Sequence, residues 1–203
     1  MNKLFKRFYK TTFHIYILYV FISICSFCIG YFLPKFLNTS SLLSAYQKIA
    51  SHFKDPLYDL NNFFDWLNIS FKYSLPYIIC IILVLIFSFS SSKLTMYGII
   101  LTYIGIKSGC EISLVYLAYK SVFESYLIMV EILAFFVLKI TISILCLRYI
   151  VYASLFSKSE EEYVDISSNR SAIHISKFIL CSVFRICSLI AFYGMYCFII
   201  KII

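Results

Sequence analysis

A lysine and a glutamate four residues apart, inside an otherwise apolar stretch, set the chemical question for this chain. In TMYGIILTYIGIKSGCEISLVYLAY (95–119), Lys107 and Glu111 lie part-way along a segment long enough to cross a bilayer. Charge within hydrocarbon is costly, so such residues are paired, face a wet cavity, or mark a break in the helix. Gly105 and Gly109 flank Lys107 and permit either a kink or close approach by a neighbouring helix. Glu131, Lys139 and Arg185 sit inside later apolar stretches. These five ions could line an ion or proton path, or could hold helices together. There is no repeated acidic or histidine ladder, and no inverted internal repeat with matched broken helices, so the structural role is favoured.

Catalytic constellations are absent. His14, His52 and His174 are scattered and have no acidic partner at motif spacing. The chain holds no HExxH, no GxSxG and no GxxxxGK. Its eight cysteines all fall in apolar stretches, and Cys25 and Cys28, despite their CxxC spacing, read as small packing residues at lipid depth. The acidic run Glu160 to Glu162 has no histidine beside it and reads as a solvated face. The sequence therefore indicates no metal, no cofactor and no enzyme activity.

The elements that would position these ions are membrane spans. Hydrophobic residues make up 62% of the 203 and charged residues only 14%. The mean hydropathy is +0.88, far outside the soluble range. Phe, Tyr and Ile carry the apolarity, and with few glycines and alanines, tight small-residue interfaces should be scarce. The net charge of +8 reads as membrane orientation. No basic patch interleaved with stacking aromatics stands outside the spans, so nucleic acid is not an expected partner.

The expected fold is all-α: an integral membrane bundle of five transmembrane helices plus two external amphipathic helices, forming one domain over 1–203. The spans are placed at about 13–33, 75–90, 95–119, 126–150 and 176–200 by their apolar runs. A basic arm with Lys3, Lys6, Arg7 and Lys10 precedes the first and puts the amino end in the cytoplasm. Five crossings then put the carboxyl end outside. The segment 36–74 divides at Asp55-Pro56 into two amphipathic helices, the first with Leu42, Tyr46, Ile49 and Phe53 on one face. The second places Leu57, Leu60, Phe64, Leu67 and Phe71 on one stripe, with Trp66 at the interface. That stripe either docks a partner or covers the ends of the chain's own spans. A polar cytoplasmic loop is expected over 151–175.

Depth arithmetic at ~1.5 Å per residue puts Lys107 about 20 Å from the inner end of its span and Glu111 one turn further out. Measured back from Arg148, Glu131 lies at about 26 Å, so Lys107 is expected between Glu111 and Glu131. Lys139 and Arg185 come out together at about 13 Å. Both are expected to snorkel toward the cytoplasmic face.

With the spans placed, the layout resembles the stage II sporulation protein M family. The resemblance is carried by a basic arm and a span ending near Gly30-Tyr31-Phe32, and by the approach WLNISFKYSLPYI into the second span. The interrupted YIGIKSGCEIS element follows, then a long fourth span running into RYIVYASLFSK. It covers nearly the whole chain in order and length. The family's fourth span usually carries prolines; here Met129, Val130, Glu131 and Ile132 open it and no proline follows. The resemblance implies a non-enzymatic scaffold in the mother-cell membrane that works with peptidoglycan-degrading sporulation proteins D and P during engulfment. The candidate docking face for them is Leu57, Leu60, Phe64, Trp66 and Leu67. A permease-type transporter subunit, with Lys107, Glu111 and Glu131 lining a path, is the alternative.

Overall fold

A computed structural model describes residues 3–36, 63–119, 126–163 and 168–202. The described chain forms five long helices: α1 (Lys3–Phe32), α2 (Phe63–Phe87), α3 (Lys93–Tyr119), α4 (Tyr126–Tyr163) and α5 (Ser168–Ile202). A short 3₁₀ turn, Leu33–Phe36, follows α1. Each long helix contains a stretch long and apolar enough to cross a membrane, the makeup of a multi-pass membrane protein.

Helices α2 to α5 form the core, with α2 packed chiefly on α5 and α3 on α4. Helix α1 lies outside this group, strapped along α3. Only 17% of its span is buried, against 50% for α3. The two run parallel, because Ser26 meets Gly105 while Gly30 and Tyr31 meet Gly109. Ser26-xxx-Gly30 on one helix thus faces Gly105-xxx-Gly109 on the other, and the lack of side chains lets the backbones touch. A Cβ at Gly105 would come within 2.6 Å of the Ser26 side chain, and one at Gly30 would press into the Ile106 backbone. The glycines flanking Lys107 therefore serve close approach, and α3 runs unbroken through them. The expected scarcity of small-residue interfaces does not hold at this seam. Elsewhere buried serines meet tyrosines of neighbouring elements, Ser88 bonding the Tyr97 hydroxyl (2.7 Å) and Ser182 the Tyr149 hydroxyl (2.6 Å).

The second span differs from expectation. It does not begin at residue 75, because α2 starts at Phe63 and continues through Pro76. Pro76 removes one backbone donor from the helix interior. Just before it, Ser70 donates to the Trp66 carbonyl (2.8 Å) and Ser74 to the Phe71 carbonyl (3.0 Å). The stretch expected to be the second amphipathic helix is, over its described part, the first three turns of α2. The first amphipathic helix, together with Leu57 and Leu60, lies outside the described residues. The α2–α3 turn is closed by Ser88 N donating to Val84 O (3.0 Å) and Ser90 N to Phe87 O (3.0 Å). Ser92 stands in the N-cap position of α3, its carbonyl accepting from Met96 N (3.2 Å).

The polar loop expected over 151–175 is also mostly helix, since α4 reaches Tyr163 and α5 begins at Ser168. Aromatic packing extends the two helices together. Phe178 is fully buried and stacks on Phe156 (centroids 4.5 Å) and on Tyr149 (6.0 Å). With no proline in α4, nothing in its sequence forces a break over its 38 residues.

Candidate functional site

The ions meet where all four core helices converge. Lys107 Nζ on α3 donates to Glu111 Oε1 at 2.7 Å, one helical turn away. Glu111 Oε2 accepts from Lys139 Nζ on α4 at 2.6 Å. Lys139 also donates to the Tyr193 hydroxyl on α5 (2.9 Å). Its ammonium lies over the rings of Tyr77, Phe135 and Tyr193 at 5.4, 5.1 and 5.2 Å. The Lys139 side chain is only 6% exposed, so it gains ion pairing and cation–π attraction in a site shielded from solvent.

A run of hydroxyls extends the cluster. Ser143 on α4 donates to Ser108 on α3 (3.1 Å), and Ser108 bonds the Tyr77 hydroxyl on α2 (3.3 Å). Tyr77 in turn reaches Glu111 Oε2 at 3.5 Å. Proton donation in the order Ser143, Ser108, Tyr77, Glu111 satisfies every hydroxyl in the chain. Ser143 stands half-buried at the outer end of this run. Tyr77, Ser108 and Lys139 are among the least exposed residues of the protein.

Two expectations are corrected here. Lys139 does not snorkel toward an end of the bundle; it is the buried cation that bridges to Glu111. Nor does Arg185 share its level. Tyr193 is level with Lys139, so Arg185 lies about 12 Å away along α5 at ~1.5 Å per residue. Its Nε is buried without a hydrogen-bond partner. The difference arises because Arg148 is not the end of the fourth span. That apolar stretch runs Ile132–Phe156, which shifts every depth on α4 by about two turns. The Glu131 side chain, expected opposite Lys107, lies outside the described residues. Tyr77, Tyr193, Ser108 and Ser143 were not foreseen. Their signal was available, since polar side chains inside apolar spans need partners.

The candidate docking stripe divides between two faces of α2. Trp66 turns inward, and its Nε1 donates to the Gly194 carbonyl on α5 at 3.0 Å. Its ring occupies the space a Cβ on Gly194 would need. Phe64 and Leu67 turn outward and are 78% and 40% exposed. Residues 64 and 66 stand about 200° apart around a helix, so the three cannot form one face. Trp66→Phe, which keeps most of the ring but loses the donor, is expected to cost about 1 kcal/mol in unfolding free energy. A denaturant titration in detergent micelles would measure it, and Phe64→Ala in the same assay should be near neutral.

Chemically the cluster is closed. Both Glu111 oxygens accept from ammonium groups, and the neighbours of Ser108 Oγ are hydroxyls, with no imidazole beside them among the described residues. His14 is exposed on α1, the side chain of His174 lies outside the described residues, and so does His52. Among the described residues no three His, Cys, Asp or Glu side chains gather in a metal-binding arrangement. The described cysteines are free thiols. No family model matches this chain, and neither curated proteins nor solved structures give a significant match to it.

Proposed function

We propose that this chain is a non-enzymatic, multi-pass membrane scaffold in which the embedded ions hold four helices in register. One observation supports this above the others: Glu111 on α3 is shared by Lys107 and by Lys139 of α4, Lys139 is further bound by Tyr193 on α5, and Tyr77 of α2 reaches the same carboxylate. Ions that close on one another in this way fix helix positions. A conduction path would need them turned toward water.

The finer reading rests on the motif layout that resembles the stage II sporulation protein M family. On that reading the chain sits in the mother-cell membrane, amino end in the cytoplasm and carboxyl end outside. It gathers the peptidoglycan-degrading sporulation proteins D and P during engulfment. Phe64 and Leu67 remain the exposed part of the proposed contact, near the end of α2 that this orientation places outside. Co-expression with proteins D and P followed by affinity purification tests it. Both should co-purify with the wild-type chain, and Phe64→Asp combined with Leu67→Asp should release them without loss of the chain from the membrane fraction. Absence of both from the wild-type eluate would remove the engulfment reading and leave the scaffold architecture without a named partner.

A further inference from the structure

The ion cluster leaves Arg148 unused. This residue is exposed on α4 and makes no ion pair with the described residues. It lines a groove of about 940 Å³ between α1 and α4. The groove exists because α1 packs through its small residues onto α3 and only lightly onto α4. Its walls are apolar, with Ile24 on one side and Ile144 and Leu147 on the other, and no Asp or Glu lines it among the described residues. At ~1.5 Å per residue, Arg148 lies about 12 Å from the Phe156 end of its span. The phenols of Tyr152 and Tyr16 line the groove closer to that same end. The cavity therefore offers an apolar slot leading up to one guanidinium and two phenols.

We propose that the α1–α4 groove is a binding site for one anionic phospholipid of the leaflet at which α1 begins, with an acyl chain in the slot and its phosphate on Arg148. Charge complementarity selects this occupant. A lone cation in an apolar, membrane-depth groove is stabilised by an anion, and a lipid phosphate brings one together with its own apolar tail. The long arginine stem lets the guanidinium rise along the groove to the level of the headgroup, where it can hold a phosphate through paired N–H donors. The volume falls in the range of sites that enclose a small amphiphile. This inference is independent of the scaffold reading, because it uses a different helix pair.

The test is native mass spectrometry of the full chain, released from detergent and titrated with phosphatidylglycerol or with phosphatidylcholine of the same acyl chains. The expected result is one retained phosphatidylglycerol per chain, held at least tenfold more tightly than phosphatidylcholine. Arg148→Gln should abolish that preference, Arg148→Lys should keep part of it, and Lys177→Gln, on exposed α5 surface, should leave it intact. Ile144→Trp, which fills the slot and leaves the cation, should lower retention of phosphatidylglycerol. Inorganic phosphate in millimolar excess should not compete. Equal retention of the two lipids overturns the proposal, as does unchanged phosphatidylglycerol binding by Arg148→Gln. Competition by free phosphate would also overturn it, as would a chain dimer whose formation depends on Ile144 and excludes lipid. Helical circular dichroism of each variant confirms that a loss of binding is not a loss of fold.

Discussion

Glu111→Ala is expected to destabilise the bundle by about 3–5 kcal/mol, the usual cost of stranding a buried charge by deleting its partner. The size follows from what is left behind. Lys139 is 6% exposed on its side chain and, among the described residues, would keep a tyrosine hydroxyl and three aromatic faces around a full positive charge. Lys107→Met should cost much less, because Glu111 then keeps Lys139, and because Lys107 is already 26% exposed. The asymmetry separates this account from one in which the three ions contribute equally. Unfolding in mixed micelles, followed by circular dichroism or tryptophan fluorescence, reads both variants. Trp66 is the only tryptophan and reports on the α2–α5 contact.

The second large effect is expected at the α1–α3 seam. Gly109→Val should detach α1, since even a Cβ at that position would press on the Phe27 carbonyl and come within 2.8 Å of Tyr31 N. Backbone atoms cannot swing aside as a side chain can, so the helices must separate. Forced overpacking of this kind costs about 1–3 kcal/mol where the structure can relax, and here relaxation means losing most of the contacts α1 makes. Hydrogen exchange should rise along α1 while α2 to α5 stay protected. Gly98 provides the contrast, because a Cβ there meets nothing within 4 Å. Gly98→Ala should raise stability by about 0.5–1 kcal/mol through its helix preference.

Much of the architecture is legible in the sequence, and the reasons are physical. A membrane span must be long and apolar, so five such runs announce five helices, and Lys107 and Glu111 at i, i+4 on a helix announce their own pairing. What the sequence concealed was where helices end and which residues oppose one another. Hydropathy falls once charges begin, but a helix continues as long as its neighbours pack. Phe178 between Tyr149 and Phe156 therefore carries α4 well past Arg148. Reading Arg148 as a terminus displaced Lys139 from its true level and hid its bond to Glu111. Likewise the apolar run places the second span from residue 75, yet α2 begins at Phe63 and passes through Pro76, and the face that buries Trp66 and Tyr77 is not the stripe marked by Phe64 and Leu67. Opposition across an interface depends on rotation about each helix axis, which a single apolar-all-round sequence specifies poorly.

The central claim is that the embedded ions serve to register helices, and a double-mutant cycle on Glu111 and Lys139 tests it most directly. Unfolding free energies would be measured for wild type, Glu111→Gln, Lys139→Met and the double variant in the same micelles. The account predicts strong coupling: Glu111→Gln falls well below wild type by stranding the buried Lys139, and Lys139→Met falls less because Glu111 keeps Lys107. The double variant recovers most of the Glu111→Gln loss because no buried charge is then left unpaired. Simple additivity of the two losses would contradict it, because the pair would then contribute nothing to holding α3 against α4.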